Sequence, residues 1–166
     1  QCNSRGGTGV AVQVDHGRDD QVAALFERVE REQGRLDILV NNAFALPDDL
    51  TQPKPFWEKP LSNWEMIDVG VRSNFVAAWH AARIMAPQNS GLVVAISGYT
   101  GVASTYSVVF GTSKSAVDRM ARDAGEGGRC VSSRGRFNPR GVKRKMSNFN
   151  VRHRGDTLHQ RHQPTP

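Results

Sequence analysis

Apolar residues recur along this chain in two rhythms. Val10, Val12 and Val14 alternate with other residues in "GVAVQVD", which predicts a short β-strand after the glycines of "RGGTG". Over "DDQVAALFERVEREQG" the period lengthens. Val22, Leu25, Phe26 and Val29 fall at i, i+3, i+4 and i+7, one face of a helix. Asp19 and Asp20 suit the positive end of that helix, and Gly34 is a natural stop. Ile38, Leu39 and Val40 form a compact apolar run ending in Asn41 and Asn42, as a buried parallel strand would. "LPDDLTQPKPFWEKP" is a loop broken by prolines. Ser62 and Glu65 in "SNWE" have the spacing of a capping box and predict a long helix. Its apolar face carries Ile67, Val71, Phe75, Ala78 and Ala82, and Pro87 and Gly91 close it. "GLVVAISG" is the cleanest strand signal, uncharged from Leu92 to Ile96. A loop from Gly98 to Ser107 then leads to a helix running through Met120.

The order is strand, helix, strand, helix, strand, helix. Such alternation predicts an α/β domain built on a parallel sheet, with right-handed crossovers placing helices on both faces. In sheets of this kind ligands bind at the carboxyl ends of the strands. Those ends are Asp15, Asn41–Ala43 and Ser97–Gly98.

Charge changes the picture only at the C-terminal end. The 166 residues carry a net charge of +6, which by itself suggests nucleic-acid binding. Residues 1–124 hold 12 Lys/Arg against 14 Asp/Glu, and residues 125–166 hold 10 against 2. The body is therefore mildly acidic and the basicity belongs to the tail. No apolar run is long enough to span a membrane and no secretory signal pattern opens the chain, so a cytoplasmic protein is expected. Cys2 and Cys130 belong to no Cys/His cluster and read as free thiols, so no metal site is expected.

The strand ends carry a resemblance. "LDILVNNA" resembles the asparagine segment of the short-chain dehydrogenases/reductases. "VVAISG" followed by "FGTSKSAVDRMA" resembles their serine strand and their tyrosine–lysine helix, and Asp15 after "VAVQV" matches the acidic residue beside the cofactor's adenine. "EREQGRLDILVNNA" and "FWEKPLSNWEMIDVGVRSNF" look most like the branch called SDR family member one. The likeness covers Val10 to Ala124. It implies a partial doubly wound Rossmann-type fold, NAD or NADP as cofactor, and hydride transfer to or from a small carbonyl or alcohol substrate. It implies cofactor contacts at Asp15, Asn41, Ala43 and Lys114, and the family's long helices as faces of a homo-oligomer.

Carried over residue by residue, the family's chemistry is incomplete here. It uses a tyrosine as acid/base, a lysine that lowers the phenol's pKa and holds the nicotinamide ribose, a serine that orients the carbonyl, and an asparagine that positions a proton-relay water. Lys114 matches the lysine. Ser97 stands at a common serine spacing, although in the nearest branch the serine aligns better with Gly98. Phe110 stands at the tyrosine position and has no proton to give. Gly70 stands at the asparagine position. Tyr99 and Tyr106 are the nearest phenols, candidates for a surrogate acid as well as for packing roles. The family's glycine-rich pyrophosphate turn is missing. "RGGTG" precedes a strand instead of following one and reads as a turn, so the chain is expected to be a fragment.

Other residues have blander readings. Phe56, Trp57 and Trp64 are expected to staple and pack the start of the long helix, and His80 to pack within it. His153, His159 and His162 show no ligand spacing. After Ala124 the family pattern stops. The tail 125–166 is rich in Arg, Gly, Ser, Asn and His without apolar period, and is expected to be disordered or the product of a shifted reading frame. The reading is thus a domain at 1–124 and a basic tail at 125–166. The expected function is that of an NAD(P)-dependent oxidoreductase, impaired or inactive as it stands. A non-catalytic nucleotide-binding or oligomerising protein is the alternative, and a nucleic-acid-binding tail a third reading.

Overall fold

The computed structural model describes residues 3–99, 106–126 and 146–150, with side chains as far as residue 124. Helix α1 spans Asp19–Gln33, with both aspartates in its first turn. Gly34 ends it in the left-handed conformation, φ 66°, its N–H bonded to Glu30 O, the usual role of a glycine just past a helix. Val22 and Phe26, on the predicted apolar face, are buried. Strand β1 covers Ile38–Asn41 and β2 covers Leu92–Ile96. They pair in parallel, Ile38 opposite Leu92 and Asn41 opposite Ala95. Gln88 helps set this register, its Oε1 accepting from Leu36 N at 2.9 Å and its Nε2 donating to Leu36 O at 3.0 Å. Helix α4 runs Val108–Glu126, longer than the pattern predicts. Strand β3, Met146–Asn150, lies antiparallel on the other side of β2, so the sheet order is β1-β2-β3.

The long helix is not continuous. The chain leaves Pro60 in a tight 3₁₀ turn over Leu61–Trp64, without a side-chain cap, so the Ser62–Glu65 capping box does not form. Proline's fixed φ starts the turn instead. A short α2, Glu65–Ile67, follows, then a wider π-type turn over Asp68–Arg72, then α3 over Ser73–Met85. Phe56, Trp57 and Trp64 are exposed and do not join the core. His80 packs as expected, stacked on Phe26 at 5.6 Å between ring centroids.

The strand expected over Val10–Val14 is also absent. Val10 and Val12 are exposed, while Val14 packs on the core edge. A strand is stabilised by its ladder, and among the described residues nothing pairs with this run. Upstream, "RGGTG" is a turn: Gly6 has φ 83° and Gly9 N donates to Asn3 Oδ1 at 2.8 Å.

The core gathers Val22 and Phe26 of α1, Ala77, Ala81, Ile84 and Met85 of α3, and Val93 of β2. Along β1 the sides alternate: Leu39 packs inward, while Ile38 and Val40 are 58% and 54% exposed. Met146–Asn150 lies inside the segment read as an unstructured tail. Residues 125–126 of that tail end α4, and 127–145 and 151–166, with Cys130 and the three C-terminal histidines, fall outside the described residues, as do Cys2 and 100–105.

Candidate active site

The carboxyl ends of β1 and β2, the π-type turn and the first turns of α4 meet at one place. Ser107 caps α4, its Oγ accepting from Phe110 N at 3.2 Å, and this fixes the direction of the helix. Phe110 and Lys114 then lie one turn apart on the same helix face. Ser97, buried just beyond β2, donates from Oγ to Lys114 O at 3.3 Å and ties the strand end to the helix. Ser113, also buried, donates to Phe110 O at 2.8 Å.

A second set of bonds fixes the opposite wall. Asn41, at the end of β1, donates from Nδ2 to Asn74 O at 3.0 Å. Asn74 donates from Nδ2 to Gly70 O at 2.8 Å. A π-type turn displaces carbonyls from the regular i→i+4 ladder, and the Asn74 amide satisfies one of them. Its Oδ1 is buried without a hydrogen-bond partner among the described residues.

Between the two walls sits Phe44. Its ring meets Phe110 edge-to-face, with centroids 5.3 Å apart at 77°. Lys114 Nζ lies 4.3 Å from the Phe44 centroid and 5.7 Å from that of Phe110. Ring faces attract a cation at this range, more strongly where water is excluded. Burial pushes the Lys114 ammonium below the ordinary lysine value of 10.5, and the charge of Asp118 opposes this only in part. The unfolded chain therefore binds this proton more tightly than the folded one. Stability should rise with pH between the lowered folded value and 10.5. Lys114→Met is expected to flatten that rise, as read from urea midpoints of both chains over a pH series.

The structure thus brings Lys114, Ser97 and Phe110 together, and sets Asn41 behind them through Asn74 and Gly70. Ala43 is half-buried on the loop that carries Phe44. Asp15 stands apart and exposed, its Oδ1 accepting from Gly17 N at 2.9 Å and its own N donating to Gln21 Oε1 at 2.8 Å. Tyr106 is half-exposed with its ring edge against Phe110 at 5.6 Å, and Tyr99 is half-exposed at the end of the β2 loop. Phe44 and Asn74 were not singled out by motif reading. The available signal was Gly70 itself, a glycine inside a helical pattern that needs a neighbour to explain it.

Comparison with known proteins shows the family and the fold. The family model described as short chain dehydrogenase matches residues 1–127. Dehydrogenase/reductase SDR family member 1 of Mus musculus is 42% identical over 127 residues, and that of Homo sapiens 41%. Each match covers 74% of this chain and 41% of the relative, so the chain spans about two fifths of those proteins' length. The solved structure of ElxO with NADP bound matches with a TM-score of 0.63 at 27% identity, over 70% of this chain and 46% of that one. A tyrosine-to-phenylalanine variant of ElxO with NADPH bound matches with the same score at 28% identity, over the same shares. The chain belongs to the short-chain dehydrogenase family and resembles its dehydrogenase/reductase SDR family member 1.

Proposed function

We propose that the chain is the core of an NAD(P)-dependent oxidoreductase whose hydride chemistry on a small carbonyl or alcohol is impaired or absent as it stands. The observation that carries this is the pair Phe110 and Lys114. The lysine is in place beside the position from which a phenol would donate a proton, and that position holds a benzyl ring. Family membership supports NAD or NADP as the cofactor. ElxO, with NADP bound, has the same fold, and its tyrosine-to-phenylalanine variant carries NADPH. Asp15, exposed beyond α1's N-terminus, fits the adenine end of a dinucleotide. The nicotinamide end fits less well, because Phe44 lies over the ammonium that would meet a ribose. What these residues do is hold a charged amine in an apolar seat, with Ser97 bracing its helix. A cytoplasmic location belongs to the same proposal and rests on the family.

Fluorescence titration with NADPH and NADH, followed by an aldehyde and ketone panel, tests this. Saturable quenching with little or no oxidation is the expected result. Absence of quenching with both nucleotides sinks the cofactor reading, and fast oxidation that Lys114→Met leaves intact sinks the assignment of the site.

A specific feature favours a second reading, self-association. A groove of about 690 Å³ lies between α3 and α4, lined by Ala78, Ala82, Met120 and Ala121, with Phe75 and Trp79 at its rim. Both rim aromatics are about half exposed, 56% and 49%, which suits burial against another copy. The nucleic-acid reading rests on tail residues outside those described.

A further inference from the structure

Phe44 follows "NNA" on the loop after β1, and its ring fills a space that Gly70 leaves open. A Cβ at position 70 would meet Phe44 Cδ2 at 2.7 Å and Cε2 at 3.0 Å, closer than side chains tolerate. Gly70 does not have a positive φ. The backbone therefore does not call for glycine there, and the ring does. Glycine inside a helical segment is destabilising relative to alanine, so its presence in the buried π-type turn fits a steric requirement. The hydrogen-bond chain from Asn41 through Asn74 to Gly70 fixes both partners at once. It holds the strand end that launches Phe44 and the turn that receives it. From that seat the ring covers Lys114 Nζ at 4.3 Å and leans on Phe110.

We infer that Phe44 and Gly70 are a size-matched pair that controls access to the Lys114 amine, and that a ligand bearing sugar hydroxyls reaches the amine only when the ring leaves its seat. The choice of a sugar-bearing ligand rests on the oxidoreductase reading above; the steric pair does not. The pair also links three features of the site. Phe110 gives the Phe44 ring an aromatic edge to pack on, Gly70 gives it room, and Lys114 is the cation beneath it.

The test uses the full chain as parent, Phe44→Ala, Phe44→Leu and Gly70→Ala. Acetic anhydride is applied in pulses, and acetylation of Lys114 is read by peptide mass spectrometry against the exposed Lys54 as internal reference. Lys114 should react at least ten times faster in Phe44→Ala than in the parent, with Phe44→Leu in between. Gly70→Ala should do the same with residue 44 unchanged, because the added methyl group takes the space the ring occupies. An unchanged Lys114 rate in a Phe44→Ala chain of parental circular dichroism overturns the inference, whatever Gly70→Ala does to folding. NADPH titration of the same four chains separates the two readings. Opening of Lys114 together with at least tenfold tighter NADPH binding supports both. Opening with no NADPH binding in any chain keeps the steric pair and removes the nicotinamide nucleotide as its ligand.

Discussion

Phe110→Tyr alone is expected to raise carbonyl-dependent NADPH oxidation by less than about tenfold, whereas Phe110→Tyr combined with Phe44→Ala should gain on the order of 10²–10⁴-fold, the usual worth of a positioned acid. The single change supplies a proton donor without the electrostatics that make it useful. An isolated phenol titrates near 10, and a nearby ammonium favours its ionised form. Here the ammonium is drawn toward the face of Phe44, 4.3 Å away, and lies farther from the ring at 110, 5.7 Å from its centroid. Removing Phe44 frees the amine to approach the new hydroxyl and opens the space above both. The two changes touch one another, so they should be strongly non-additive. Ultraviolet difference titration gives a second reading: the introduced phenol should ionise at lower pH in the double variant than in the single one. Equal rates in the two would mean that Phe44 is no obstacle to the chemistry.

The second large effect concerns stability. Met85→Ala should lower the unfolding free energy by about 2–5 kcal/mol, the range for emptying a buried aliphatic site. Met85 is 0% exposed and closes α3 against the core formed with α1 and β2. Domains have only about 5–15 kcal/mol in total, so this single truncation would remove a large share. Met85→Leu, which nearly conserves volume, should cost less than about 1.5 kcal/mol. Leu61→Ala is the natural control, since Leu61 is 95% exposed, and should change stability by less than about 0.5 kcal/mol. Urea denaturation of the three variants checks the ranking, and a Met85→Ala midpoint equal to that of Leu61→Ala would contradict the burial of Met85 in the core.

The elements that could be read in advance are those whose local signals agree with their tertiary setting. In α1 the periodicity, first-turn aspartates and Gly34 all point one way, and the helix has the bounds they imply. The same holds for β2 and the start of α4, where apolar runs end at polar site residues; β1 forms over its predicted run, but the run predicts a buried strand and only Leu39 packs inward, Ile38 and Val40 being exposed. The Val10–Val14 alternation is a true strand pattern, but alternation says nothing of whether a neighbouring strand is there to complete the ladder. The capping box at Ser62 and Glu65 failed because Pro60, two residues earlier, already dictates a different entry to the helix. The widened turn at Asp68–Arg72 has no periodic signature, and the ring that packs against it, Phe44, comes from a loop 26 positions before Gly70. For the same reason the site was legible only as separate strand-end residues. Lys114, Ser97 and Phe110 come from motifs within a single strand–helix unit, while Phe44 is a lone aromatic in a loop, and its meaning depends on contacts no spacing rule encodes.

The exposed side of β1 has a consequence for how the chain behaves at high concentration. Among the described residues β1 has a sheet neighbour on one side only, β2, and Ile38 and Val40 present their side chains outward. An open row of backbone donors and acceptors beside aliphatic side chains is a template for strand addition by another molecule. The Arg35–Asp37 ion pair and the four-residue length of the strand limit how far such pairing can run. For this chain, Ile38→Lys or Val40→Lys is expected to lower light scattering on concentration relative to the parent, and equal scattering would show that this edge seeds no pairing.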